Sequence, residues 1–174
     1  MIKKKLSDIV TFTAGKNITR LNNVPEDNIY TQSDFENDLQ GLNQGCTQGC
    51  SINLMKSKAA PLSQITESKC LITNFVLCNF DTAQLDPWYF CYLFNESKEI
   101  EKQLNRFQQG TVISVRKLTI KNIGELEIKI INFEKQKVIG KLYKEYVRKD
   151  YLMHLQIENI SKLTRETIRK IEED

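Results

Sequence analysis

Residues 108–146 read QQGTVISVRKLTIKNIGELEIKIINFEKQKVIGKLYKEY and hold the transition between two kinds of structure. A Gly110-Thr111 turn with Arg116 and Lys117 close behind leads into ELEIKII, which alternates as a strand does. The chain then passes directly into an amphipathic helix that opens with Glu134-Lys135-Gln136. Val138, Ile139, Leu142, Tyr143, Tyr146 and Val147 recur at spacings of three and four, with charged residues between them. Ile157, Ile160, Thr164, Ile168 and Ile171 continue the pattern, and no proline follows Pro87 to interrupt it. Gly140 is a mild local weakness, costing about 1 kcal/mol against alanine. A helix of about 40 residues would extend about 60 Å, where the usual globular helix has about 11–12 residues. Such a rod exposes an apolar stripe and so needs a partner, although its heptads are too irregular for a standard coiled coil.

Working outward, Asp86-Pro87 starts another helix, with Asp86 as its cap and proline at the first helical position. Trp88 in that helix reads as a core anchor. Ile100 and Leu104 mark a second amphipathic piece, closed near Gly110. CLITNFVLCNF (70–80) is the most strand-like run and reads as core. Residues 39–53, LQGLNQGCTQGCSIN, read as a loop whose glycines permit tight turns and whose amides and hydroxyls offer many donors and acceptors. Residues 28–31 suit a short strand, and residues 6–12 a short amphipathic opening. The turn Ala14-Gly15-Lys16 would present Lys16, Asn17 and Arg20.

At 174 residues, 40% of them hydrophobic, the chain can build one core plus an appendage. No run approaches the roughly 18 apolar residues of a membrane span, and Ser7 and Asp8 break the stretch a signal peptide would need, so a cytoplasmic protein is expected. Cys46 and Cys50 form a CxxxC without a second pair to close a zinc site, and buried reduced thiols are the expectation for the cysteines. His154 is the one histidine and stands on the long helix, which argues against a catalytic triad. No phosphate-binding glycine loop occurs. The net charge of +3 matters less than its distribution. Residues 102–124 and 39–66 hold cations and no acids, whereas Glu26, Asp27, Asp34, Glu36 and Asp38 crowd one segment.

Four passages resemble the specificity subunits of type I restriction-modification systems. KKKLSDIVTFTAGK (3–16) is similar to that family's opening, where a Leu-Gly-Asp-like turn precedes a strand and a Gly-Lys. LDPWYFCYLFNES (85–97) resembles its helix after an Asp-Pro. GTVISVRKLTIKNIGELEIKI (110–130) resembles its Gly-Thr and leucine-rich strand approach, and FEKQKVIGKLY (133–143) its Glu-x-Gln-Lys-x-Ile helix entry. The chain departs from the family at Ser7, where glycine is favoured, and at Ile130-Ile131-Asn132-Phe133, where prolines are usual.

The resemblance implies an α+β fold: a target-recognition domain over residues 1–132, with a small twisted mixed sheet and helices, and a long spacer helix over 133–174. It implies sequence-specific recognition of double-stranded DNA at a bipartite site, without catalysis by this chain. S-adenosylmethionine and ATP would belong to partner subunits, a methyltransferase and a motor-nuclease. Full subunits carry two such sets, so a single set implies pairing with a second copy or a different half through antiparallel helices. The pairing face would comprise Val138, Ile139, Leu142, Tyr146, Met153, Ile157, Ile160 and Ile168. DNA contact calls for cations on phosphates and amides or guanidinium groups on base edges. Arg116 and Lys117, beside Gln109 and Thr111, are the leading candidates. Lys56 and Lys58 would hold the backbone, Gln44, Thr47, Gln48 and Asn53 would address bases, and Lys16, Asn17 and Arg20 would add contacts. The other reading is a helical adaptor that binds protein through its acidic segment and its long helix.

Overall fold

The computed structural model describes residues 2–21, 23–43, 45, 49–108 and 118–173. The fold is α+β with a long C-terminal helix. Its centre is a four-stranded antiparallel sheet, ordered β2 (Thr11–Ala14), β7 (Phe75–Asn79), β4 (Gly49–Asn53), β5 (Lys58–Pro61). Strand β4 corrects the loop reading of residues 39–53. It lies in the middle of the sheet, with Cys50 opposite Cys78 on one side and Pro61 on the other, and all five of its residues are buried. Small residues suit that place: a Cβ on Gly49 would stand 2.8 Å from the Cys78 carbonyl oxygen.

The 70–80 run, expected as one strand, is two. Cys70–Leu71 (β6) pairs in parallel with Ile29–Tyr30 (β3), a turn closed by Phe75 N–H to Ile72 O at 2.8 Å follows, and β7 then enters the main sheet. Parallel pairing is thus confined, among the described residues, to β3–β6 and a bridge between Lys16 and Ile72. The ELEIKII run becomes β8 (Glu127–Ile130), antiparallel to β1 (Ile2–Lys5).

Helix α1 (Gln32–Leu39) opens with a capping box between Thr31 and Asp34. In α2 (Pro87–Glu96) the Asp86 carboxylate accepts from Tyr89 N–H at 2.8 Å, as the Asp-Pro pair predicts. Helix α3 (Lys98–Gln108) buries Ile100 and Leu104. A short α4 (Ile120–Gly124), capped by Thr119, precedes β8 and differs from the strand approach expected there. Trp88 lies in the core with Tyr89, Phe90 and Phe94 of the same helix.

Helix α5 (Phe133–Glu173) runs unbroken for 41 residues. Its first part seats on α2. Gln136, Gly140 and Tyr143 are buried at spacings of four and three, with Ile139 and Val147 half-buried beside them. Gly140 is more than a weak point in a helix: a Cβ there would overlap the Asp86 carboxylate and come within 3.0 Å of Trp88 Cβ and Tyr89 N. Three amide side chains act as tertiary fasteners. Gln136 donates to Gln84 O and Ile131 O and accepts from Asp86 N–H. Asn95 bonds both the N–H and the carbonyl of Ala59 on the edge strand β5, at 2.8 Å each. Gln103 does the same for Glu127 on β8. From residue 152 to residue 173 every side chain but Ser161 is exposed.

Candidate nucleic-acid interface

Of the thirteen residues expected at DNA, Gln44, Thr47, Gln48, Gln109, Thr111, Arg116 and Lys117 lie outside the described residues. The other six fall in two places. Lys16 and Asn17 are exposed just after β2, where Asn17 caps the one-turn helix Ile18–Arg20 through Thr19 N–H. The parallel bridge to Ile72 and a 2.8 Å bond from Lys16 N–H to Leu71 O hold this segment against the 72–74 turn. Lys16 and Asn17 therefore share an exposed corner at the start of the one-turn helix that ends at Arg20.

Asn53, Lys56 and Lys58 sit on the β4–β5 hairpin, where each side chain has partners within the fold. Asn53 is buried; its oxygen accepts from the N–H groups of Met55 and Lys56 at 2.9 Å each, and its amide donates to Gln32. That side chain shapes the hairpin tip, where Ser57 takes a left-handed φ of 51°, and presents no amide edge to a base. Lys56 is tied to Glu36 at 2.6 Å. Lys58 donates to the Asn95 carbonyl at 2.9 Å at the end of α2, with Glu96 at 3.8 Å. Neither lysine is a free cation, so each would have to exchange a partner to reach a phosphate.

Two arrangements escaped the sequence reading. The first is a buried polar cluster. Asp38, 2% exposed, accepts from Tyr30 OH at 3.1 Å, Thr66 Oγ1 at 2.6 Å and Asn43 Nδ2 at 2.8 Å. Burial pushes its carboxyl above the ordinary range despite those donors. It ties α1, β3 and the loop after β5 to residue 43. The acidic segment is largely spent internally as well, since Asp34 pairs with Lys69 at 2.8 Å and Glu36 with Lys56. The second is a cleft of about 480 Å³ between α3 and the β1–β8 pair, lined by Lys3, Glu99, Lys102, Gln103 and Arg106 among others. Glu99 takes Lys129 and Lys3 at 2.8 Å each, and those bonds hold its carboxyl down at about 2. Lys102 and Arg106 stay exposed on α3, on the approach to residue 109. Exposed cations on one helix were readable from the acid-free run at 102–124. The Asp38 cluster had no sequence signal, because its members are far apart in the chain.

No group of residues able to hold a metal ion occurs among the described residues. Cys50, Cys78 and Cys91 are buried, with Cys50 Sγ 3.7 Å from Cys91 Sγ, and burial pushes the thiols of Cys50 and Cys78 well up. No described helix is long and apolar enough to cross a membrane.

The pairing-face candidates divide. Val138, Leu142, Tyr146, Met153, Ile157, Ile160 and Ile168 are all at least half exposed, between 51% and 66%. Ile139 is not among them: it turns inward and packs against the core of the head.

This fold, an α+β head followed by a long helix, is similar to that of solved chains from type I restriction-modification systems, as three comparisons show. The HsdS subunit of Thermoanaerobacter tengcongensis matches 86% of this chain with a TM-score of 0.55 at 14% identity. The S subunit of the M. genitalium system matches 92% with a TM-score of 0.52 at 15% identity. A chain from a structure of complex assembly and conformational transition in the type I R-M system matches 94% with a TM-score of 0.58 at 13% identity. This chain spans 37%, 44% and 43% of those chains, less than half of each. No family model matches the sequence. No curated protein matches it either.

Proposed function

We propose that this chain provides one recognition unit of a DNA specificity subunit: a non-catalytic reader that pairs with a second recognition unit and directs a methyltransferase, with or without a motor-nuclease, to a bipartite site. One observation carries the reading. The head packs around cores of its own, while the distal half of α5 carries large apolar side chains that are exposed. The likeness of fold and the resemblance of motifs supply the class of partner.

In this reading, residues 1–132 form the reader and 133–174 the spacer. Lys16, Asn17 and Arg20 contribute from the corner after β2, joined by Gln109, Thr111, Arg116 and Lys117, with Gln44, Thr47 and Gln48 addressing bases. Lys102 and Arg106 are added to the phosphate contacts on the strength of their exposure beside that segment. S-adenosylmethionine and ATP remain with the partner subunits. Holding two readers one or more DNA turns apart, at about 34–36 Å per turn, favours a split site. The adaptor reading loses part of its support, since Asp34 and Glu36 of the acidic segment pair internally.

The test is binding to random duplex DNA over a salt series, followed by selection in the presence of a methyltransferase subunit. Several phosphate contacts demand at least about a hundredfold loss of affinity between about 50 and 200 mM salt, and selection should return a split site. Binding indifferent to salt, or selection of one contiguous asymmetric site, overturns the proposal.

A further inference from the structure

Three loops leave the central sheet at one of its ends. Residues 15–19 follow β2, residues 54–57 join β4 to β5, and residues 72–74 precede β7. Ala14 opposite Val76 and Asn53 opposite Phe75 put all three at the same end. The 72–74 turn stands between the other two, because β7 runs between β2 and β4. It also fastens them. Leu54 N–H donates to Asn74 O at 2.9 Å, Lys16 N–H to Leu71 O at 2.8 Å, and Thr73 Oγ1 to Lys16 O at 3.4 Å. At the hairpin tip the buried Asn53 holds the N–H groups of Met55 and Lys56. The loops thus form one rim whose backbone is fixed by the fold itself.

The side chains on this rim are unlike the rest of the head. Outside α5, the exposed large apolar residues among those described are Ile18, Met55 and Ile65, and the first two lie here, at 58% and 55% exposure. Lys16, Asn17, Thr19, Lys56, Thr73 and Asn74 are exposed beside them, and none of the three loops contains a carboxylate. The acid paired with the rim is Glu36 of α1, through Lys56. Asn53 and Asn95 spend their amides inside the fold, whereas the Asn74 side chain has no hydrogen bond among the described residues.

We infer that this rim reads A·T base pairs in the major groove, with Met55 and Ile18 against the C5-methyl groups of thymine and Asn74 on an adenine edge. The inference rests on the DNA reading above and deepens it, because it adds three residues to the reader and names the bases they take. In the major groove thymine alone of the four bases presents a methyl group, which apolar side chains read, and adenine presents the donor and acceptor that an asparagine amide matches. The groove is walled by phosphates, which a rim free of carboxylates and carrying Lys16 can approach. A phosphate backbone gives an exposed isoleucine or methionine nothing to bury against, whereas a thymine methyl does. A protein partner is the poorer fit. Protein interfaces draw their energy from packed clusters that exclude water, and here the two apolar tips stand on different loops with polar side chains around them.

The experiment uses the full chain with its methyltransferase subunit and the half-site that selection returns. Each thymine is replaced in turn by deoxyuridine, which removes the C5-methyl group and nothing else. Burial of one methyl group corresponds to about fourfold in affinity, so at least one replacement should weaken binding by that factor. The penalty at that thymine should vanish in Met55→Ala or in Ile18→Ala. Both variants should keep the parent's urea midpoint, since both side chains are exposed. Asn74→Ala should relax selection at one adenine, and unchanged selection overturns that contact. A half-site without A·T pairs, uracil tolerated at every position, or a methyl penalty that survives both alanine variants overturns the assignment while DNA reading stands. Alanine variants that bind DNA as the parent does but lose the methyltransferase make the rim a protein surface and overturn it too. A parent that binds no DNA, or binds it without regard to salt, fails the DNA reading itself.

Discussion

The two halves of α5 are one helix written under two sets of rules. The proximal half, residues 133–151, is held by particular atoms: an amide with three backbone bonds at Gln136, an absent side chain at Gly140, and a hydroxyl at Tyr143 between Asn95 and Glu96. The distal half has apolar residues and charges at helical spacing, and its side-chain bonds, such as Thr164 Oγ1 to Ile160 O and Thr167 Oγ1 to Leu163 O, stay within the helix. A seat made of unique contacts fixes the angle of the rod on its head. A periodic face without such contacts leaves partner and register to a second chain. Substitutions in the first half should therefore act on stability, and those in the second on association.

The sharpest contrast is between neighbouring tyrosines. Tyr143 is 6% exposed and Tyr146 60%. Tyr143→Ala should cost about 3 kcal/mol of unfolding free energy, read from urea melts, while Tyr146→Ala should leave the head's stability within about 0.5 kcal/mol and weaken self-association. Equal effects on stability would erase the distinction.

Next in size is a reversal of helix propensity. On an ordinary helix a glycine-to-alanine change gains about 1 kcal/mol. At Gly140 the added Cβ meets the Asp86 carboxylate that caps α2, so Gly140→Ala should instead lose about 2 kcal/mol by overpacking. Ser161→Ala in the distal half should be neutral or slightly stabilising by the same melts. A stabilised Gly140→Ala protein would mean that the two helices do not approach as closely as described.

The smallest effect lies in acid. Glu99, bonded to Lys129 and Lys3, has its carboxyl pushed down to about 2 from an ordinary 4.5. A carboxylate lowered on folding contributes stability above its unfolded value, and that contribution is lost as pH falls from about 4.5 toward 2. Asp38, raised by burial, acts in the opposite sense: its contribution is present below its unfolded value and lost as pH rises through the folded one. Glu99→Gln should therefore flatten the acid limb of a plot of urea midpoint against pH, leaving values near neutrality almost unchanged. An unaltered limb would show that the pair of lysines does not act on folding.

What could be read beforehand follows from what is periodic. The α5 helix, the Asp86-Pro87 start and the β8 strand announce themselves through spacing, caps and alternation within a few residues. Strand β4 does not, because Gly49, Cys50 and Ser51 are chosen for the narrow place they occupy between β5 and β7, a constraint visible only once the sheet exists. The role of Gly140 is likewise set by α2, about fifty residues earlier in the chain. The amides mislead in an instructive way. Asn53 has the chemistry of a base reader, as Asn95, Gln103 and Gln136 do, and each spends it on backbone groups inside the fold. Ile139 fits the exposed stripe by spacing but falls on the edge that the head covers. Composition shows which residues can form such bonds, and the fold decides which are free to do so.

The pairing of β1 with β8 sets an order of events. Ile2 aligns with Ile130 and Lys5 with Glu127, so β1 waits for almost the whole head to be synthesised before its partner exists. Contacts of such long sequence separation close slowly. During that wait the strand is an unpaired edge, and three consecutive lysines keep it from joining the wrong neighbour. Closure of this last seam, which lies next to the root of α5, is then the step at which a nascent reader becomes fit to carry its rod.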